Sequence, residues 1–344
     1  MILEELKIEG FRSLKSVTWR PGRLNVLIGP NGGGKSNLLS ALDLLRTAAT
    51  DGDLKRAVLQ MGGMGALVWD GQSKEIRFSL GTDSGLNYKF MMRRIGTTGG
   101  FEFEEDGRTN VGLLMKGIGS LAGAGTPFRP FWASWSIHRD VRTDRESELR
   151  GASVTRDENR VESEGQNLIA VLHTLYENDR DFEESLDKAM SAAFPNDYDK
   201  LVFPPEADGR TQLRVRRKHR KRADSSADLS DGTLRFLMLM AILGSPDPAP
   251  LIAVDEPETG LHPRMLPIIA EVAANAALKS QIIFTTHSPE LLDAFSDEVP
   301  TTTIVTSNGS ETELKTIGGE ELKRWIDDYS LSKFVFSGEA DAVL

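Results

Sequence analysis

The chain contains no cysteine. That excludes disulfides, thiolate metal sites and cysteine nucleophiles, and it fits a reducing compartment such as the cytoplasm. No apolar run approaches the roughly 18 residues that a membrane-spanning helix needs, so no membrane is expected among its partners. Residues 1–10 carry acidic side chains where a secretory signal would have a basic and then an apolar stretch. A positive charge balance is missing too. The net charge is -10, which argues against wholesale coating of nucleic acid but leaves room for a local basic patch. There is no internal repeat and no heptad run long enough for a coiled coil. The 344 residues suffice to bury a core without staples.

Residues 29–36 read GPNGGGKS, between the strand-like run 24–28 and a helical run that starts near Asn37. This is a phosphate-binding P-loop in its required context. Its glycines let the backbone fold tightly, so N–H groups point inward at a phosphate, and the next helix aims its positive end at the same anion. Gly29, Asn31, Gly32, Gly33, Gly34 and Asn37 line the loop. Lys35 can reach the β- and γ-phosphates of ATP, and the Ser36 hydroxyl can ligate Mg²⁺.

The organisation expected is α/β, a P-loop fold with a mixed or parallel core sheet. Residues 1–105 form the P-loop and an antiparallel β part. Strands are expected at 66–69, 75–80 and 86–94, with hairpin turns at Asp70-Gly71 and Asp83-Ser84-Gly85. Residues 106–226 form an inserted helical and charged lobe. Within it 137–165 reads as exposed or mobile, and 165–178 and 181–194 as amphipathic helices. Residues 227–344 return to strand–helix alternation. Buried strands are expected at 251–254 and 281–285, helices at 265–278 and 289–295, late strands at 302–305 and 313–317, and a last helix at 319–328.

Three further motifs carry chemistry. An apolar strand ends in Asp255-Glu256-Pro257-Glu258. At the carboxyl end of a sheet this places Asp255 beside Mg²⁺ and Glu256 toward the γ-phosphate, where it can polarise water. Leu229-Ser230-Asp231-Gly232-Thr233 opens an apolar helix, so Ser230 and the free N–H groups there form a second anion site. Thr285-Thr286-His287-Ser288 ends a strand, and a neutral His287 can hydrogen-bond the γ-phosphate and orient water. Read alone, each also suits a solvated loop, an ordinary helix cap and a structural histidine.

The four motifs, their order and the opening Ile8-Glu9-Gly10-Phe11-Arg12-Ser13-Leu14 resemble the ABC ATPases of the RecF, SMC and OLD type, whose members are often catalogued as AAA-type ATP-binding proteins. The family signature is Leu-Ser-Gly-Gly-Gln; this chain departs from it at Asp231 and Thr233 and keeps Ser230 and Gly232. The resemblance implies that Arg12 and Ser13 lie near the nucleotide. It also implies a loop at 258–263 that crosses a dimer interface, and a Q-loop glutamine near the metal, for which Gln60 is the candidate. It implies a head-to-tail homodimer, or an even-numbered oligomer, that closes over two ATP molecules and reopens on hydrolysis. Compact chains of this kind resemble components of anti-phage or DNA-repair systems, in which a separate effector, often a nuclease, acts in trans. The end at Leu344 leads us to expect no nuclease domain of the kind OLD proteins carry.

Residues 214–222 hold seven Lys or Arg in nine positions: Arg214, Arg216, Arg217, Lys218, Arg220, Lys221 and Arg222. They read either as a solvated loop or as a contact to the phosphate backbone of DNA or RNA. Arg139, Arg142, Arg145 and Arg150 are interleaved with acids and read as exposed. A regulatory scaffold without nucleic-acid contact and a transporter subunit remain as alternatives to a DNA-directed switch.

Overall fold

The computed structural model describes residues 1–49, 54–71, 73–96, 100–105, 108–112, 128–295 and 299–318, together with 321 and 324. Strands β1 (Leu3–Phe11) and β2 (Leu14–Trp19) alternate buried apolar and exposed charged positions, as one-sided antiparallel strands should. Strand β3 (Leu24–Ile28) is buried throughout and leads into α1 (Lys35–Ala49). Helices α2 (Leu54–Gln60) and α3 (Met64–Leu67) follow. Here the expected strand at 66–69 is corrected. Met64, Leu67 and Val68 are buried at helical spacing, and the chain continues into a 3₁₀ turn at Trp69–Gly71. Strands β4 (Glu75–Thr82), β5 (Asn87–Ile95), β6 (Gly100–Glu105) and β7 (Arg108–Gly112) complete an antiparallel sheet of order β2-β1-β4-β5-β6-β7.

After α4 (Phe128–Ala133) comes β8 (Ser136–His138), which pairs in parallel with the later strand at 251–255. This corrects the exposed reading of 137–165 in part: Ile137, His138, Leu149 and Val161 are buried, while most of 151–160 is exposed. Side chains bonding to backbone order this segment where apolar periodicity is lacking. The Gln166 amide donates to the carbonyls of Arg142 and Glu164 and accepts from Ser147 Oγ and the Glu148 amide, each at 3.0 Å.

The lobe continues with β9 (Ser153–Val154), α5 (Leu168–Asn178), α6 (Arg180–Ala193), β10 (Tyr198–Val202), β11 (Pro205–Glu206), β12 (Arg210–Thr211), β13 (Arg214–Arg217) and β14 (Asp224–Ser225). Its strands form two three-stranded sheets, β10-β13-β14 and β11-β12-β9. Helix α7 (Asp231–Leu243) is buried along nearly its whole length. Each fully buried Leu or Phe on it contributes about 2 kcal/mol by leaving water.

Then come β15 (Leu251–Asp255), α8 (Leu266–Ala277), β16 (Gln281–Thr286), α9 (Pro289–Asp293), β17 (Thr301–Ser307) and β18 (Thr312–Ile317). The core sheet has the order β18-β17-β3-β16-β15-β8, parallel except for β18. Val26 and Ile28 pack into the core on one face, Leu27 into the core on the other. The architecture is a P-loop α/β fold of ABC head type. The helix expected at 319–328 lies largely outside the described residues.

His138 ends an edge strand with no exposed surface. Burial pushes its imidazole down to about 4. The unfolded chain takes up a proton below about pH 6.5 that the folded chain refuses. Stability is therefore full above that pH and is lost as pH falls toward 4, by up to about 3 kcal/mol. The melting temperature should fall across this window more steeply than that of His138→Asn; parallel curves would refute the assignment.

Candidate functional site

The carboxyl ends of β3, β15, β16 and β8 share one edge of the core sheet, where ligands bind in doubly wound folds. The P-loop leaves β3 there, hemmed in by β17 and β18. A side chain on Gly29 would meet the Val305 carbonyl at 2.0 Å, and one on Gly34, at φ +110°, would meet Thr312 Oγ1 at 2.1 Å. Only glycine fits both positions. Lys35 is buried, and its ammonium donates to the carbonyls of Gly29 at 2.7 Å and Pro30 at 3.1 Å, closing over the loop.

Asn37, Ser13 and Thr312 brace the loop from behind. Asn37 Nδ2 donates to Ser13 Oγ at 2.7 Å, Ser13 Oγ lies 2.7 Å from Thr312 Oγ1, and Thr312 Oγ1 donates to the Gly33 carbonyl at 3.1 Å. Arg12 sits at φ 46° and donates to Ser40 Oγ at 3.2 Å on the second turn of α1. Burial and the nearby Arg139 charge hold the Arg12 guanidinium below its usual pKa. Thr312 gave no sequence signal, because it reaches the loop from a strand near the other end of the chain.

Residues 31–37 and Glu256 line a cleft of about 350 Å³. Glu256 adopts φ 47°, a left-handed conformation that costs of order 1 kcal/mol for a residue with a side chain. Its amide donates to the Thr285 carbonyl at 3.1 Å, which holds the bend. The end of β16 then meets the carboxylates one by one. Thr285 Oγ1 donates to Asp255, Thr286 Oγ1 donates to Glu258, and His287 Nδ1 lies 3.0 Å from Glu256 Oε1. Burial raises the Glu258 carboxyl pKa, with the Thr286 bond opposing. The two threonines were part of the motif read from sequence, but their pairing depends on strand register.

Ser230 caps α7: its Oγ accepts from the Thr233 amide at 3.1 Å. Ser230 and Asp231 are exposed and Gly232 is half-buried; none of the three lines the cleft of its own chain. Gly232 packs on the loop after the carboxylates, where a side chain would meet the Gly260 carbonyl at 2.4 Å. Arg150, read as exposed from sequence, is corrected: its guanidinium is mostly covered and ion-paired with Asp231. Gln60 is exposed at the end of α2 and does not line the cleft. The basic run lies on β13 and the turn after it. Arg217 pairs with Asp197 and Asp224, Arg220 with Asp224 and Arg214 with Glu206, while Arg216, Lys218, Lys221 and Arg222 are exposed.

Two family models match. Residues 1–109 match the AAA ATPase domain, and residues 131–293 match the AAA domain described as putative AbiEii toxin, Type IV TA system. A DNA replication and repair protein RecF from Moorella thermoacetica is 39% identical over 77 residues, which is 22% of this chain. The match spans about a fifth of that relative, 19% of its length. Among solved structures, an SMC head bound to the C-winged helix domain of ScpA superposes with a TM-score of 0.61 at 13% identity, over 94% of this chain and 100% of that one. The SMC head domain with an extended coiled coil from Pyrococcus furiosus, bound to the C-terminal domain of ScpA, gives 0.60 at 12% identity over 95% and 99%. These two show the shared fold. The two AAA-type ATPase models together span the segments that carry the four motifs, and the chain is similar to ABC-class ATPases of the RecF/SMC type.

Proposed function

We propose that the chain is an ATP-hydrolysing switch that closes as a head-to-tail dimer over two nucleotides and controls a DNA-directed partner, a nuclease or other effector in phage defence or DNA repair. One observation carries this reading. The cleft gathers the P-loop and Glu256, whereas Ser230 and Gly232 stand outside it, which leaves them placed to serve the triphosphate of a second copy. The test is whether ATP converts the protein from monomer to dimer in light scattering when hydrolysis is blocked at Glu256.

ATP is held by the P-loop amides and Lys35, with the signature of the partner copy completing the site. Glu256 accepts the proton of a water whose oxygen bonds to the γ-phosphorus as the bond to the β-phosphate oxygen breaks, leaving ADP and phosphate. His287 orients Glu256 across their 3.0 Å contact. The donor set fits Mg²⁺: Ser36 is exposed in the first turn of α1, Asp255 ends β15 at the same edge of the core sheet, and this ion takes its remaining ligands from phosphate and water. When bound, it neutralises phosphate charge. Among the described residues no group of three His, Cys, Asp or Glu could hold a metal by itself, and no helix is long and apolar enough to cross a membrane.

The DNA-directed part draws on the matched segment of a replication and repair protein and on the turn after β13. Internal acids occupy three of its cations, leaving Arg216, Lys218, Lys221 and Arg222 for phosphates. Four such contacts predict that the logarithm of duplex affinity falls with the logarithm of salt at a slope of about -3 to -4. A flat salt dependence, or no gel shift with ATP present, removes this contact.

A further inference from the structure

We infer that Arg150 is a positioning residue for the signature loop, holding residues 227–231 in the shape Ser230 needs to meet the partner copy's nucleotide. The purpose of the loop rests on the sandwich reading; the tie itself rests on geometry. The Arg150 side chain is only 15% exposed. Its Nη1 donates to the carbonyls of Leu229 at 2.8 Å and Ala227 at 3.2 Å. Its Nη2 donates to the Thr143 carbonyl at 2.8 Å and to the Asp231 carboxylate, and its Nε to the Asp144 carbonyl at 2.9 Å. One planar fork thus closes two loops at once, which a lysine on the same stem cannot do.

Two neighbours give this tie a consequence. Asp231 is 66% exposed beside Ser230, where a bare carboxylate would repel an incoming triphosphate; the Arg150 pair offsets that charge. Gly232 lies against Gly260, so a shift of the signature loop reaches the loop that follows Glu256. On the other side, Gln166, two residues before α5, clasps the 142–148 segment through Ser147 and the Glu148 amide. A continuous polar path therefore runs from the helical lobe through Arg150 to the signature.

The test uses Arg150→Lys in the Glu256→Gln background. Single-subunit ATP affinity should stay within about twofold, while ATP-driven dimerisation weakens at least about tenfold, the loss expected when several charge-assisted bonds to loop carbonyls are broken. A general loss of structure would lower both. Hydrogen exchange gives a second readout that needs no dimer. The amides of Thr233 and Leu234, bonded to Ser230 Oγ and the Ser230 carbonyl, should exchange faster in Arg150→Lys, and to a smaller extent in the exposed change Asp231→Asn. Equal dimer affinity, or unchanged exchange in both variants, overturns the inference. If Glu256→Gln itself stays monomeric with ATP, the sandwich reading fails, and the exchange result still decides the role of Arg150.

Discussion

Glu256→Gln should bind ATP at least as well as the wild-type chain, fall in turnover by at least about a hundredfold, and accumulate as a dimer in the presence of ATP. The change is nearly isosteric. The amide side chain keeps a partner for His287 and keeps the backbone bend, because the bend is fixed by the Glu256 amide and the Thr285 carbonyl. What goes is the proposed base. A positioned carboxylate that accepts a proton in the transition state is worth roughly 10²–10⁴ in rate. Removing a negative charge that faces a triphosphate does not weaken ground-state binding and can strengthen it. In the proposed switch hydrolysis reopens the sandwich, so blocking it shifts the population toward the closed pair. Phosphate release in steady state and light scattering with ATP check the two halves separately. A variant that hydrolyses slowly yet stays monomeric with ATP refutes the sandwich; one that turns over normally removes Glu256 from the chemistry.

The parts of this site that were legible in the sequence are those fixed by local pattern. The glycines of the P-loop, the apolar run of β15 ending in acids, and the cap of α7 each follow from a short window. The parts that were not legible depend on which strand lies beside which, and in what register. Thr285, Thr286 and His287 face Asp255, Glu258 and Glu256 because β16 pairs in parallel with β15, Asp255 opposite Thr285, and because the chain then bends at Glu256. No pattern within either motif specifies that match.

The buried and ordered positions within 137–165 were missed for a related reason. Apolar periodicity detects segments that fold by burying side chains, and this segment instead folds by lending its carbonyls to Arg150 and Gln166. The helix at 64–67 was misread because Ala-Leu-Val-Trp suits a strand locally, while the buried positions Met64, Leu67 and Val68 recur at helical spacing. In the basic run, the sequence reports charge but not the acids folded against it. Asp197 lies outside the run altogether, so the partial neutralisation of Arg217 is a product of the fold.

Lys35→Ala tests the P-loop more directly. The ammonium donates to two loop carbonyls at the mouth of the cleft where a triphosphate would sit. Bonds from a charged donor contribute about 1.5–3 kcal/mol each, so the loss of ATP affinity should be on the order of tenfold to a hundredfold. The apo protein should change far less. Alanine is a good residue for the first turn of α1, and the loop shape is set by the glycines packed against Val305 and Thr312 rather than by the lysine. The expected pattern is an apo melting temperature near that of the wild type, loss of the upward shift that ATP gives at fixed concentration, and a weakened isotherm in calorimetry. If the variant binds ATP as tightly as the wild type, residues 29–36 do not bind the triphosphate, whatever their sequence suggests. A variant that loses both binding and apo stability points instead to Lys35 as a structural plug over the Gly29 and Pro30 carbonyls, and Lys35→Met, which fills the same space without charge, separates the two. Restored stability with ATP affinity still low assigns the ammonium to the nucleotide.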